Sequence, residues 1–225
     1  SILEKSEPDS AVTLGSRARL LDRAGKKQEA LALLRGMIAR PLERKQFDRA
    51  RYAAGVMEEI QQLDAARQTL EELAAVEPAA RLDLAEFLGR RQLLPEALDR
   101  CEEALKTVPA ERVLTTAVAI LNIAPDRARP EDFRRVEAWF RAPGKPELDK
   151  AVVLQLANLL ELQHRFPELT RLYQDFLARN DVSERERAVV YNNLVYLLAA
   201  QRRDLRNARE MIEQAIATAE TRTVR

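Results

Sequence analysis

The sequence predicts an all-helical chain of short antiparallel helix pairs, on the strength of three observations. Alanine and leucine fill 68 of 225 positions against 6 glycines and 11 aromatic residues, a mix that favours helix and leaves little material for strands. Small residues recur at a spacing of twelve, Ala18 with Ala30, Ala54 with Ala66 and Ala85 with Ala97. Prolines stand at breaks in the apolar pattern, three of them as Pro95-Glu96, Pro130-Glu131 and Pro167-Glu168. That dipeptide suits a first helical turn, where the missing N–H costs nothing and a carboxylate meets the positive end of the dipole.

The pairs follow in order. The first is expected near 10–41, turning at Arg23-Ala24-Gly25-Lys26-Lys27, and the second near 46–78, turning at Gln61-Gln62. The third, near 79–109, turns at Gly89-Arg90-Arg91-Gln92, with Leu84, Leu88, Ala97, Leu98, Cys101 and Ala104 at core spacing. The fourth, near 110–142, departs from the pattern: Asp132 replaces the small residue of the second helix, and Trp139 stands where the third pair has Ala104. It also holds a proline-rich bend at 125–130 and the run Ala142-Pro143-Gly144-Lys145-Pro146. An irregular junction is therefore expected over 124–147, separating three repeats in 10–123 from two in 147–219. The fifth pair, near 147–180, turns at Gln163-His164-Arg165 and sets Ala157 twelve residues before Leu169, with Leu160, Tyr173 and Phe176 in its apolar set. The sixth, near 184–219, repeats the relation with one residue inserted, Val195 to Ala208. A small residue in the middle of one helix and another near the start of the next let the two approach closely across a short turn. One pair cannot bury both of its apolar faces, so the pairs must stack.

On these residues the chain resembles a tetratricopeptide repeat array. The matching segments are Leu84-Ala85…Leu88…Ala97…Ala104…Pro109, Leu156-Ala157…Leu160…Leu169…Phe176, and Asn192-Asn193-Leu194-Val195-Tyr196…Ala208…Ala215. The resemblance implies an α-solenoid of about six pairs, wound as a right-handed superhelix, spanning 1–225. It also implies that the first helices line a concave groove that binds a peptide or helical segment of a protein partner. Carried onto this chain, that groove is lined by Arg19, Asp22, Arg23, Arg51, Gly55, Glu58, Glu86, Arg90, Leu154, Asn158, Glu161, Asn192 and Tyr196. The strongest contact candidates are Asn158, Glu161, Asn192 and Tyr196. The inward set has no lysine and no asparagine at one repeated position, so neither a carboxylate clamp nor an asparagine ladder is assigned. Asn192 and Asn193 serve either helix packing or ligand contact on this reading. The role implied is a non-enzymatic interaction scaffold; the alternative is a recruiting or regulatory region of a larger bacterial enzyme or secretion and assembly protein.

Charge and chemistry point the same way. With 37 basic and 36 acidic residues the chain lacks the positive surplus that nucleic acid or an anionic membrane requires. The arginines around Arg40–Arg51 and Arg127–Arg135 are diluted by Glu43, Asp48, Asp126, Glu131, Asp132 and Glu137, which reads as a solvated mixed-charge surface. No apolar run reaches a membrane-spanning length, so no membrane insertion is expected. One histidine, His164, and one cysteine, Cys101, cannot make a zinc site, and no nucleotide-binding or hydrolase motif is present. No catalytic residue, metal or cofactor is assigned. The compartment is not legible. A last helix near 204–219 carries Met211, Ile212, Ala215, Ile216 and Ala219, a stripe too wide for one partner helix. The expectation there is a further helix in the natural protein, with self-association covering the stripe in this chain or the stripe left exposed.

Overall fold

The computed structural model describes residues 10–38, 46–123, 125–141 and 148–200. Among these the regular structure is helical throughout: α1 (Ala11–Arg23), α2 (Lys27–Ile38), α3 (Phe47–Glu59), α4 (Leu63–Val76), α5 (Ala80–Arg90), α6 (Leu94–Ala104), α7 (Ala110–Ile123), α8 (Pro130–Trp139), α9 (Val153–Leu162), α10 (Phe166–Leu177) and α11 (Glu184–Ala200). The chain divides between Ala128 and Arg129 into two compact units. The fourth pair read from the sequence is therefore split, α7 closing the first unit and α8 opening the second. The helix expected near 204–219 lies outside the described residues.

In the first unit α1 packs with α2, α3 with α4 and α5 with α6, while α7 covers α5 and α6. The alanines at twelve-residue spacing mark the crossings: Ala18, Ala30, Ala66, Ala85 and Ala97 have no exposed surface, and Ala54 almost none. Leu34, Met57, Leu73, Leu88 and Leu98 fill the space around them. Successive first helices also approach closely. A Cβ on Gly15 would fall 2.5 Å from the Tyr52 ring, and one on Gly89 would fall 2.8 Å from Cγ1 of Ile120. Glycine at these two places is a requirement of α1 meeting α3 and α5 meeting α7.

The four described turns within pairs share one backbone geometry. Gly25, Gln61, Gln92 and His164 all take a left-handed conformation, with φ of 77°, 60°, 61° and 55°. In each, that residue's N–H donates to the carbonyl three back and the next N–H to the carbonyl five back, as Gln92 to Gly89 at 2.8 Å and Leu93 to Leu88 at 3.0 Å. This is the Schellman termination, which satisfies the last carbonyls of the first helix and reverses the chain. His164 is thus the counterpart of Gly25, a turn residue placed by backbone geometry.

In the second unit α10 packs against both α9 and α11. Their shared core includes Ala157, Leu160, Leu169, Tyr173, Phe176, Val190 and Leu194. Asp132, the departure noted in the sequence, is buried because its carboxylate accepts the Arg129 backbone N–H at 2.9 Å and so caps the start of α8. Arg165 ties α8 to the α9–α10 turn, reaching Glu137 at 2.6 Å and Glu168 at 2.5 Å. At the far end of α10 the Arg187 guanidinium donates to the carbonyls of Leu177 and Arg179, so a cation caps the negative end of that helix.

Two stability changes follow. Gln92→Gly should raise the unfolding free energy by about 1 kcal/mol, since glycine carries no Cβ penalty in the left-handed region; urea denaturation measures it, and His164→Gly should act in the same direction. Gly89→Ala should cost about 1–3 kcal/mol through overpacking. Combined with Ile120→Ala its cost should be less than additive, because the atoms struck by the new methyl are then gone.

Candidate functional site

The groove residues expected from the sequence meet two different fates. In the first unit several of them are tied to neighbouring helices. Arg19 on α1 donates to Glu59 on α3 at 2.6 Å and to the Tyr52 hydroxyl at 3.2 Å, with its guanidinium 5.8 Å from the centre of the Tyr52 ring. Arg51 on α3 reaches Asp83 on α5 at 2.6 Å, Glu77 at 2.5 Å and Asp48 at 3.0 Å. Arg90 on α5 returns to Glu58 on α3 through two bonds of 3.0 and 2.8 Å, and Arg91 adds a third at 3.2 Å. Four of the expected contact residues, Arg19, Arg51, Glu58 and Arg90, are thus spent on ties between neighbouring first helices. Paired guanidinium–carboxylate bonds of this kind, partly shielded from water, outweigh a single exposed pair.

The remaining first-unit candidates contribute less. Glu86 lies 3.9 Å from Arg90, and partial burial raises its carboxyl above the usual value despite that neighbour. Asp22 is half-buried, and its Oδ1 has no hydrogen-bond partner. Gly55 and Arg23 are exposed.

In the second unit the expected residues gather at one place. Asn158 and Glu161 from α9 and Asn192 and Tyr196 from α11 line a single cleft of about 300 Å³, together with Leu169, Tyr173, Asn193 and Leu197. Its floor is α10, which holds the two flanking helices apart. Tyr173 is buried there; burial pushes its phenol above the ordinary value, and its hydrogen bond with the Asn193 amide opposes that. The two adjacent asparagines differ in their surroundings. Asn193 is tied to the floor, while Asn192 and Asn158 are exposed. Tyr196 is 70 % exposed. One turn earlier on the same helices, Leu154 and Val189 are exposed as well.

Tyr173 was legible only as a core position, because an aromatic at core spacing gives no sign that its ring closes a cleft. Its signal is the pairing of a buried phenol with an amide on the next helix, which needs the third dimension. Cys101 is fully buried among the apolar residues of α6. Among the described residues no group of three or more His, Cys, Asp or Glu side chains is arranged to hold a metal ion. Likewise no described helix is long and apolar enough to cross a membrane.

No protein-family model matches the chain, and no curated protein is similar to it in sequence. Among solved structures it is similar to a tetratricopeptide repeat protein from Parabacteroides merdae, at 14 % identity and a TM-score of 0.47 over 92 % of this chain and 79 % of that one. It is also similar to a MamA RS-1 double mutant, at 14 % identity and a TM-score of 0.38 over 96 % and 98 % of the two chains. A third is the assembly chaperone Acl4, at 18 % identity and a TM-score of 0.35 over 92 % and 90 %. The repeated turn and the buried alanine crossings carry the structural assignment. The described helices form the antiparallel pairs of a helical-repeat fold.

The ion ties make the first unit acid-sensitive. The Arg90 hydrogen bond holds the Glu58 carboxyl below its usual range against partial burial, and the Arg19 hydrogen bond does the same for Glu59. A carboxyl with a lower pKa in the folded state stabilises fully above its unfolded value, about 4.3 for glutamate, and loses that contribution as pH falls through the folded value. Glu58→Gln should therefore be less stable than the parent at pH 7, with the gap closing below about pH 4. Thermal melts across that range test the sign.

Proposed function

We propose that this chain is a non-enzymatic interaction scaffold whose α9–α11 cleft holds a peptide or helical segment of a protein partner. One observation carries the reading: Asn158, Glu161, Asn192 and Tyr196 converge on one cleft and make no ties to one another, whereas the equivalent face of the first unit is self-neutralised. Exposed amides offer both a donor and an acceptor to a partner's backbone. An exposed tyrosine supplies contact area at low conformational cost. Leu154 and Val189 provide the apolar anchoring that polar contacts alone lack. In the first unit Arg19, Arg51, Glu58 and Arg90 act by holding the first helices in register, so partner contacts concentrate in the second.

A photo-crosslinking amino acid at Asn192 should capture a bound partner, while the same group at Gln68 or Asp99, on second helices, should not. Capture from Gln68 and Asp99 alone would place the interface on the opposite helices and end this proposal. Asn158→Ala with Asn192→Ala should weaken a captured partner about thirtyfold, at about 1 kcal/mol for each of the two lost neutral hydrogen bonds.

A further inference from the structure

We infer that the segment held between α9 and α11 carries a lysine or arginine side chain, taken up by the Glu161 carboxylate and the Tyr196 ring. This rests on the reading of that cleft as a peptide groove and specifies what enters it.

The argument begins with positional equivalence. Glu58 lies four residues after Ala54 and meets Arg90, five after Ala85. Glu161 likewise lies four after Ala157, but five after Val195 stands Ala200. The second tie of the first unit joins Arg51, three before Ala54, to Asp83, two before Ala85. Its counterparts are Leu154 and Asn193, neither of them charged. Of the four charged positions that staple α3 to α5, only the glutamate survives between α9 and α11, and it survives without its arginine.

No described residue forms an ion pair with Glu161, and Arg165, four positions on, is already bound to Glu137 and Glu168. An exposed carboxylate alone would mean only a solvated surface. Here two further facts aim it at a ligand. Glu161 is the one charged side chain among those lining the cleft, so the field there is negative and would repel an acidic peptide. On the facing helix Tyr196 presents an exposed ring to the same space. A carboxylate and an aromatic face around one cavity match an ammonium or guanidinium, which the first binds as an ion and the second through its quadrupole. The guanidinium of Arg19 already combines a glutamate with a tyrosine in this way inside the first unit, using Glu59 and Tyr52.

The test uses the full chain and a phage-displayed library of random 12-residue peptides. Selected sequences are then resynthesised with acetylated N-termini, so that only side chains can supply the cation. The selected pool should be enriched in lysine or arginine at one shared position. Glu161→Gln, Tyr196→Ala, and replacement of the peptide's basic residue by norleucine should each weaken binding by about 3- to 10-fold, and the first and last should not add. Helical circular dichroism and the melting temperature should be unchanged in Glu161→Gln. Peptides that depend on Asn158 and Asn192, lack basic residues and bind Glu161→Gln as well as the parent would overturn the cation assignment and leave the groove standing. An empty selection, or a pool indifferent to Asn158 and Asn192, would overturn both.

Discussion

The close crossing of helices at buried alanine is the constraint on which the rest of this molecule depends. Ala18 and Ala30, Ala54 and Ala66, and Ala85 and Ala97 are buried in helices that pack as pairs, and their small side chains remove bulk there. Close approach shortens the path from one helix to the next, and the left-handed turn at Gly25, Gln61, Gln92 and His164 is the backbone solution that spans it. Three of those positions accept the conformational cost of a side chain at positive φ. Packing of the pair over-determines the turn, so the local preference of glutamine or histidine is overridden. Leu169 shows the alternative in the second unit, where a larger residue takes the alanine's place twelve positions after Ala157 and is buried in the core shared with α11.

The two units spend their polar groups differently. In the first, Arg19, Arg51, Glu58 and Arg90 join neighbouring first helices through short guanidinium–carboxylate bonds. Each such tie satisfies both charges and leaves neither available to a partner. In the second, α10 separates α9 from α11, and the groups facing the gap are amides, one carboxylate and one exposed ring. A surface whose hydrogen-bonding capacity is already consumed offers a ligand little. The open cleft keeps that capacity, with Tyr173 and Asn193 held to each other in its lining. The same helix-pair architecture thus carries a self-tied face in the first unit and an open cleft in the second.

How much of this could be read from the residues depends on the range of the interaction. Helix content, the pairing, the turn positions and most of the core follow from composition and from contacts within about forty residues, and these are the links that alanine spacing and proline placement record. Asp132 marks the other limit. Its departure from the repeat was visible, but its use as a cap on Arg129 is a matter of hydrogen-bond geometry. The placement of Asn158, Glu161, Asn192 and Tyr196 on inner helix faces was legible through the repeat; their convergence on one cleft was not.

By itself, then, the sequence determined an all-helical chain of stacked pairs and the faces on which its polar residues stand, because periodicity and small-residue spacing are local properties of a helix. Only the tertiary structure decided which of those polar residues are free. Glu58 and Glu161 occupy equivalent positions in their repeats and are the same residue type, yet one is bound by Arg90 and Arg91 and the other faces an open cleft. The difference lies in what the next helix presents across the gap, and a carboxylate's availability is set by that neighbour.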